Sequence, residues 1–500
     1  MKHVPRKRRF RRERAAAHVR NARDAAFAVL SEYKNGGRFV AALLEPFFTS
    51  DALASPDERR LAVELTNGVV RREATLDAIL RPHVQRPRHR IEGELWTLLQ
   101  LGAYQLVFLD AMPAYAAVNE TVALAKSIGR ERWTGFLNGV LRNVERTLTD
   151  QFETTLDATG VPVAQGRVRR LSHAVFADPS VDPAGYFAEA FSFPRWLANR
   201  WQERFGFEEL CRLGFWFDRP APPTLRANLL KTSGSELIRL LNEGGVAATP
   251  GALPESIRLQ GTARVDALPG FADGLFSVQD ESAMQAVERL APRPGETILD
   301  LCAAPGAKTT HIAERMRNQG TILATDIRPE RLARVAENCT RLGISIVQPI
   351  LVRESESGSQ ANATKSVPAA GPFDAILADV PCSNTGVLGK RPEARWRLTP
   401  SEIAELTVQQ LQLLESACRR LRPGGRLVYS TCSIEPEENE QIVRGLLRQQ
   451  PALTLVEEWY QIPGRPADGG YQALLVRNAS ESVAEDSQTA TARIDKSELS

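Results

Sequence analysis

A chain of 500 residues is longer than one ordinary core and at usual domain sizes divides into about two to four. With 43% hydrophobic and 25% charged residues it has the composition of ordinary globular protein, which excludes fibrous and wholly disordered classes. The net charge of +3 sets no strong overall preference, no apolar run reaches the roughly 18 residues of a membrane-spanning helix, and no secretory core follows the N-terminus. Cys211, Cys302, Cys339, Cys382, Cys418 and Cys432 are scattered, with no CxxC pair and no Cys/His quartet. Neither a disulfide framework nor a metal site is therefore expected, and free thiols fit a reducing cytoplasm.

Residues 1–19 form a basic tail, with Lys and Arg clustered from Lys2 to Arg14 against the single acid Glu13. Three readings stay open for it: attraction to nucleic acid through release of phosphate counterions, a solvated tail, or an Arg-rich transit segment. Residues 20–147 carry apolar residues at three-and-four spacing (Ala25, Ala28, Val29; Leu61, Leu65; Leu98, Leu101) with no strand-like alternation, which predicts an all-helical domain. Gly135 and Gly139 mark expected close helix approaches. Weak periodicity with mixed Thr, Asp, Gly and Pro makes 148–184 a linker.

A small α+β module is predicted over 185–275, with a helix from Pro194 and strands near Thr224–Asn228, Gly245–Thr249 and Ser256–Leu259. Arg226 and Asn228 alternate on one strand face, which offers them to RNA or leaves them on a solvated edge. Trp196 and Trp201 are base-stacking candidates or core residues.

From 276 to 478 strands and helices alternate, predicting a parallel doubly wound sheet. The strands are Thr297–Leu301, Thr321–Asp326, Ser345–Val352, Ala375–Val380 and Arg426–Ser430, followed by late strands near Thr454–Glu457 and Tyr471–Arg477. Glu354–Gly371, rich in Ser, Ala, Asn and Gly, reads as a surface insertion. Residues 479–500 are polar and expected to be disordered.

After the first strand, Cys302, Ala303, Ala304, Pro305, Gly306, Ala307 and Lys308 make a loop of small residues that opens a helix. Its backbone admits close approach of a ligand, and its N–H groups favour an anion. The spacing fits neither G-x-x-x-x-G-K-[ST] nor G-x-G-x-x-G, which disfavours nucleoside triphosphates and NAD. Asp326 ends the second strand about twenty residues on, where an acid accepts from ribose hydroxyls. Together they predict a nucleoside cofactor.

Four linked motifs carry a resemblance: Asp300-Leu-Cys-Ala-Ala-Pro-Gly-Ala-Lys308-Thr-Thr-His311, Asp379-Val-Pro-Cys382-Ser-Asn-Thr-Gly386, Pro392-Glu-Ala-Arg-Trp396 and Ser430-Thr-Cys432-Ser-Ile-Glu435-Pro-Glu-Glu-Asn439. In this order they resemble the RNA 5-methylcytosine methyltransferases that use S-adenosylmethionine. Gly102-Ala-Tyr-Gln-Leu106, Val118-Asn-Glu-Thr-Val122 and Gly135-Phe-Leu-Asn-Gly139 look like the NusB-like helical bundle, so the whole is similar to the Sun/Fmu (RsmB) branch. The resemblance implies a Rossmann-like class I methyltransferase domain behind an all-α NusB-like RNA-binding domain and an α+β RNA-recognition module. It implies S-adenosylmethionine held by Cys302–Lys308, Asp326 and Asp379, and small-subunit ribosomal RNA as partner of a monomer with no membrane contact. The sequence departs from the family in having Ala307 where Gly is usual and Val352 where an acid is expected at the end of the third strand, with Glu354 nearby as a substitute.

Methyl transfer to carbon 5 of cytosine needs a nucleophile at carbon 6 and a group that removes the carbon-5 proton. By resemblance Cys432 attacks, Cys382 assists release, Asp379 contacts the base and Lys308 orients Asp379. The residues alone leave the order of the two cysteines open. Two other functions remain at this stage: a transfer-RNA cytosine methyltransferase, and a non-catalytic RNA-binding assembly factor.

Overall fold

The computed structural model describes residues 19–479 apart from 37–38, 49–52, 54, 220–222, 262–263, 353–370 and 466. The basic tail, Glu354 with most of the insertion, and the C-terminal segment from 480 lie outside the described residues. Among the described residues no helix is long and apolar enough to cross a membrane.

Among the described residues seven α-helices form the N-terminal bundle: α1 (Ala22–Gly36), α2 (Val40–Phe48), α3 (Pro56–Arg71), α4 (Glu73–Leu80), α5 (Gly93–Phe108), α6 (Ala114–Ser127) and α7 (Thr134–Thr147). Ser55 starts α3 by accepting from Asp57 N, with Pro56 in the first turn. Helix α5 is buried from Leu95 to Val107, so its sides are apolar nearly all round and it forms the centre of the bundle. Close packing falls at Gly68, where a Cβ would meet the Tyr104 ring at 2.0 Å, and at Gly102, where it would meet Leu141 at 2.6 Å. The expected approaches at Gly135 and Gly139 are not found, since a Cβ at either would have nothing within 4 Å.

The predicted linker is largely folded. It forms an antiparallel sheet, β1 (Leu148–Glu153), β2 (Gly160–Ala164) and β3 (Arg167–Leu171), in the order β1-β3-β2. Arg169 NH1 donates to the carbonyls of Leu106 (3.0 Å) and Val107 (3.3 Å), supplying donors that the end of α5 lacks. Helices α8 (Pro183–Ala190) and α9 (Arg195–Asp218) follow, with Phe187, Phe191, Phe193, Trp201 and Phe217 continuing the helical core. Trp201 is wholly buried and donates to Glu435 at 3.0 Å, which removes it from RNA.

The α+β module has strands β4 (Thr224–Ala227), β5 (Ala248–Pro250), β6 (Ser256–Leu259) and β7 (Phe276–Val278) in the order β5-β6-β4-β7. Helix α10 (Gly234–Glu243) starts at a Ser233/Glu236 capping box. The RNA role expected of Arg226 and Asn228 is corrected here, because both are 0% exposed. Their strand face is covered by the methyltransferase domain. Arg226 makes a two-pronged pair with Glu314 (2.7 and 3.1 Å) and donates to Ala307 O at 2.7 Å and Thr310 Oγ1 at 3.0 Å. Asn228 Nδ2 donates to Gly274 O and Leu342 O, both at 2.9 Å.

After α11 (Glu281–Leu290) comes the large sheet: β8 (Thr297–Leu301), α12 (Ala307–Arg315), β9 (Thr321–Asp326), α13 (Pro329–Leu342), β10 (Val347–Leu351), β11 (Phe373–Asp379), the short α14 (Ala394–Arg397), α15 (Pro400–Arg420), β12 (Leu421–Thr431), α16 (Glu440–Gln449), β13 (Leu453–Gln461) and β14 (Gly470–Arg477). The strand order is β10-β9-β8-β11-β12-β14-β13. The first five strands run parallel, and β14 is antiparallel to both neighbours. Crossover helices cover both faces, as a parallel sheet requires.

Arg226→Ala leaves the buried Glu314 carboxylate without its cation. It is expected to cost about 3–5 kcal/mol of stability, read as a drop in denaturation midpoint, with the RNA affinity of the remaining folded protein unchanged. A selective loss of RNA binding at unchanged stability would contradict the buried placement.

Candidate active site

Strands β11 and β12 are parallel neighbours with Asp379 opposite Ser430, so the chain leaves both at the same sheet edge. The loops that follow bring Cys382 Sγ to 3.2 Å from Cys432 Sγ, across fifty residues of sequence. Gly386 N donates to Cys432 O (2.9 Å) and Ile434 N to Thr385 Oγ1 (3.0 Å), joining the loops directly. A Cβ at Gly386 would meet Gly469 O at 2.3 Å, so only glycine fits there. Beneath both loops lies Glu438, which accepts from Ser383 N (2.8 Å), Gln410 Nε2 (3.0 Å) and the hydroxyls of Ser383 and Ser433. Each of these serines directly follows a cysteine. One buried carboxylate therefore sets the spacing of the two thiols. Burial raises its pKa against the pull of its donors.

The two thiols stand in unlike fields. The hydrogen bond from Cys382 is the main influence lowering the Cys432 pKa; burial and Asp379 oppose it, while Arg391 and Lys308 assist. Cys382 is pushed well above its ordinary value by that same hydrogen bond, by burial and by the negative charges of Cys432 and Glu438. Lys308 Nζ donates to Asp379 Oδ2 at 2.7 Å. Burial works against the Lys308 charge, but Asp379, with Cys432 and Asp300 beyond it, holds its pKa above the usual range. Asn384 lies between the groups at φ +61°, with Nδ2 donating to Cys382 O (2.7 Å) and Oδ1 accepting from Arg391 NH1 (3.0 Å).

The small-residue loop also fits a nucleoside-bearing ligand. Gly306 has φ +101°, and a Cβ there would press on Val335 at 3.2 Å. Ala307 opens α12 without positive φ, so the methyl in place of the usual hydrogen is accommodated. Asp326 Oδ1 accepts from Arg328 N at 3.0 Å. Its buried Oδ2 has Arg331 NH1 at 3.3 Å as an ion-pair neighbour but accepts no hydrogen bond, which leaves it able to receive ribose hydroxyls. Asp300, wholly buried, is raised to about 7 by desolvation and accepts from Thr309 Oγ1 at 2.6 Å. The Cys302 thiol is pushed up to about 12 by burial and the surrounding carboxylates, so it is an inert lining residue. Val352, buried, ends the third-strand segment and donates its N–H to Asp326 O at 3.0 Å.

The structure thus brings Cys432, Cys382, Asp379 and Lys308 together, and sets the loop from Cys302 through Ala303, Ala304, Pro305, Gly306 and Ala307 at the same sheet edge as Asp326. Sequence reasoning missed Glu438, Asn384 and Arg391. Glu438 sits in the run Glu435-Pro436-Glu437-Glu438, where nothing local tells a buried acid from its neighbours. Glu435, also buried, instead accepts from Arg200 Nε at 2.6 Å.

A five-strand parallel sheet closed by an antiparallel hairpin, with a small-residue loop after its first strand and an acid ending the next, defines a Rossmann-like methyltransferase. The model described as 16S rRNA methyltransferase RsmB/F matches residues 287–472, that of the NusB family 20–146, and that of the RsmF/B-like ferredoxin-like domain 193–266. The chain is 36% identical over 445 residues to the probable ribosomal RNA small subunit methyltransferase B of Synechocystis sp., spanning 89% of this chain and 91% of that protein. It is 34% identical over 436 residues to the ribosomal RNA small subunit methyltransferase B of Cronobacter sakazakii, spanning 87% and 92%. The crystal structure of PH0851 matches with a TM-score of 0.71 at 25% identity, over 92% of this chain and 98% of that one. The chain belongs to the ribosomal RNA small subunit methyltransferase B family.

The unequal fields predict the order of alkylation. The thiolate is the reactive form and exists above the thiol pKa, so iodoacetamide is expected to label Cys432 with a midpoint below that of an ordinary thiol. Cys382 should follow only at higher pH. Lys308→Met removes a cation and leaves Asp379 unpaired, so the Cys432 midpoint rises. Mass spectrometry of each cysteine across pH reads both shifts, and a lower midpoint at Cys382 would reverse the assignment.

Proposed function

We propose that the protein transfers a methyl group from S-adenosylmethionine to carbon 5 of a cytidine in small-subunit ribosomal RNA through a covalent Cys432–cytosine intermediate. The observation that carries this reading is the pair of thiols 3.2 Å apart beside the Lys308–Asp379 pair, at the sheet edge that also carries the loop and Asp326. The family of the chain and the names of its relatives support the RNA class.

When bound, S-adenosylmethionine supplies an electrophilic methyl group on a sulfonium. The loop from Cys302 to Lys308 takes its amino-acid end, and Asp326 takes the ribose hydroxyls. The Cys432 thiolate adds to carbon 6, forming a C–S bond and moving the ring electrons toward carbon 5. Asp379, oriented by Lys308, accepts from the exocyclic amine and stabilises the ring protonated at N3. Carbon 5 takes the methyl group as the S–CH3 bond of the sulfonium breaks, with S-adenosylhomocysteine as the leaving product. Cys382 then removes the carbon-5 proton, and the returning electrons break the C6–S bond and regenerate the Cys432 thiolate. The cytidine must be unstacked to present its ring face, which points to a loop or locally opened site.

Tritiated S-adenosylmethionine with hypomethylated small-subunit RNA is expected to label one cytosine. Cys432→Ala should form no adduct. Cys382→Ala should slow turnover by about 10²–10⁴-fold and accumulate an RNA–protein adduct stable to denaturing electrophoresis. Adduct in Cys432→Ala alone would exchange the two roles, and absence of labelling in every structured RNA would sink the reading.

A further inference from the structure

The edge that holds Cys382 opens into a groove of about 330 Å³. One wall is the loop bearing Asn384 and Arg391, and the other is the outer face of α15, including Glu405 and Gln409. The rim comes from a different domain. Phe39, immediately before α2 of the helical bundle, is 47% exposed and faces the Arg397 guanidinium 4.6 Å from its ring centre. That placement is fixed by contacts on either side. Val40 N donates to the buried Glu393 at 3.2 Å, Trp396 Nε1 donates to Val70 O at 3.2 Å, and Arg71 NH2 donates to Gly389 O at 3.4 Å.

The groove therefore has an exposed aromatic face at its rim, guanidinium groups at its cysteine end and rim, and carboxylate and amide groups along its far wall. A phosphate suits the guanidinium groups and is repelled by Glu405, whereas a base edge bearing N–H donors suits Glu405 and Gln409. An aromatic face suits any base. The volume is at the lower end of the range for small-molecule sites and leads directly to Cys382.

We propose that this groove is a second nucleotide subsite, which takes the base next to the target cytidine in single-stranded RNA. The base stacks on Phe39, its phosphate lies by Arg391 and Arg397, and its N–H edge is accepted by Glu405 and Gln409. The inference rests on the cytidine reading above and adds to it that the helical domain is part of substrate selection at the catalytic edge.

The test uses full-length enzyme and RNA substrates with 2-aminopurine or an abasic nucleotide at each neighbour of the methylated cytidine. At one neighbour, 2-aminopurine emission is expected to be quenched on binding to the wild type and to Phe39→Tyr, but not to Phe39→Ala. Phe39→Ala should raise the KM for RNA about ten- to hundredfold, with the loss in KM rather than kcat and with S-adenosylhomocysteine affinity, measured by calorimetry, preserved. The abasic nucleotide should cost the wild type a similar factor and cost Phe39→Ala little more, because both changes remove the same stack. Independent losses, or an unchanged KM in Phe39→Ala, would overturn the subsite while leaving the cytidine reading intact. If Phe39→Ala does not fold, equal KM values of the wild type for abasic and intact RNA at both neighbours serve as the overturning result. Failure of the wild type to methylate any cytidine overturns both.

Discussion

The pairing of β11 with β12 is the constraint on which the site depends. Parallel neighbours end at one edge, and the register of Asp379 with Ser430 places the two cysteines level with each other. A shift of one residue would turn each side chain to the other face of the sheet. Register alone brings the loops to one place, and Glu438 then fixes them by binding the serine after each cysteine. Gln410 of α15 and the Tyr429 hydroxyl, which donates to Glu438 O at 2.5 Å, hold that acid from the helix and the strand. The buried carboxylate is tolerable because its oxygens are so fully supplied with donors.

The other domains are joined to this edge by buried polar contacts. Arg226 fastens the α+β module to α12, the helix that begins at the small-residue loop, and it donates to the carbonyl of Ala307 within that loop. Arg72 and Arg395 both pair with the buried Asp218, so the bundle, α9 and the segment after Cys382 meet around one acid. Desolvation raises the Asp218 pKa despite these cations and lowers that of Arg395 to about 10. Such clusters contribute geometry more than net stability, since desolvation offsets much of their attraction. The consequence is that the appended domains are set in fixed relation to the thiols.

The strands of the large sheet were legible because parallel strands buried on both faces read as short apolar runs between turn signals. Thr297–Leu301 and Thr321–Asp326 were found with the expected bounds. The small-residue loop and the cysteine motifs were legible because the proposed chemistry limits which residues can stand there. Residues 148–171 were not, because β1 to β3 are short, bear Thr, Asp and Arg, and gain their hold partly from Arg169 reaching the end of α5. The face of β4 was not legible either. Alternation shows that Arg226 and Asn228 share a side, but only tertiary packing shows that this side is covered. The partners of Glu438 and the rim position of Phe39 likewise exist only once distant segments meet.

The order of the two cysteines illustrates the same limit, and the fold supplies an asymmetry between them that the sequence lacks. Both thiols follow strand ends, and both motifs are short, so sequence gives no asymmetry. In the folded protein the hydrogen bond from Cys382, assisted by Arg391 and Lys308 against burial and Asp379, lowers the Cys432 pKa, while that same bond, burial and the charges of Cys432 and Glu438 raise that of Cys382. The coupling also has a useful sequence in time under the proposed reaction. Two of the influences that hold the Cys382 proton, the hydrogen bond to Cys432 and the charge on it, vanish once Cys432 is bonded to carbon. Cys382 then releases its proton to solvent more readily, at the stage when a base is needed at carbon 5. The same 3.2 Å contact that prepares the nucleophile thus delays the base until the adduct exists.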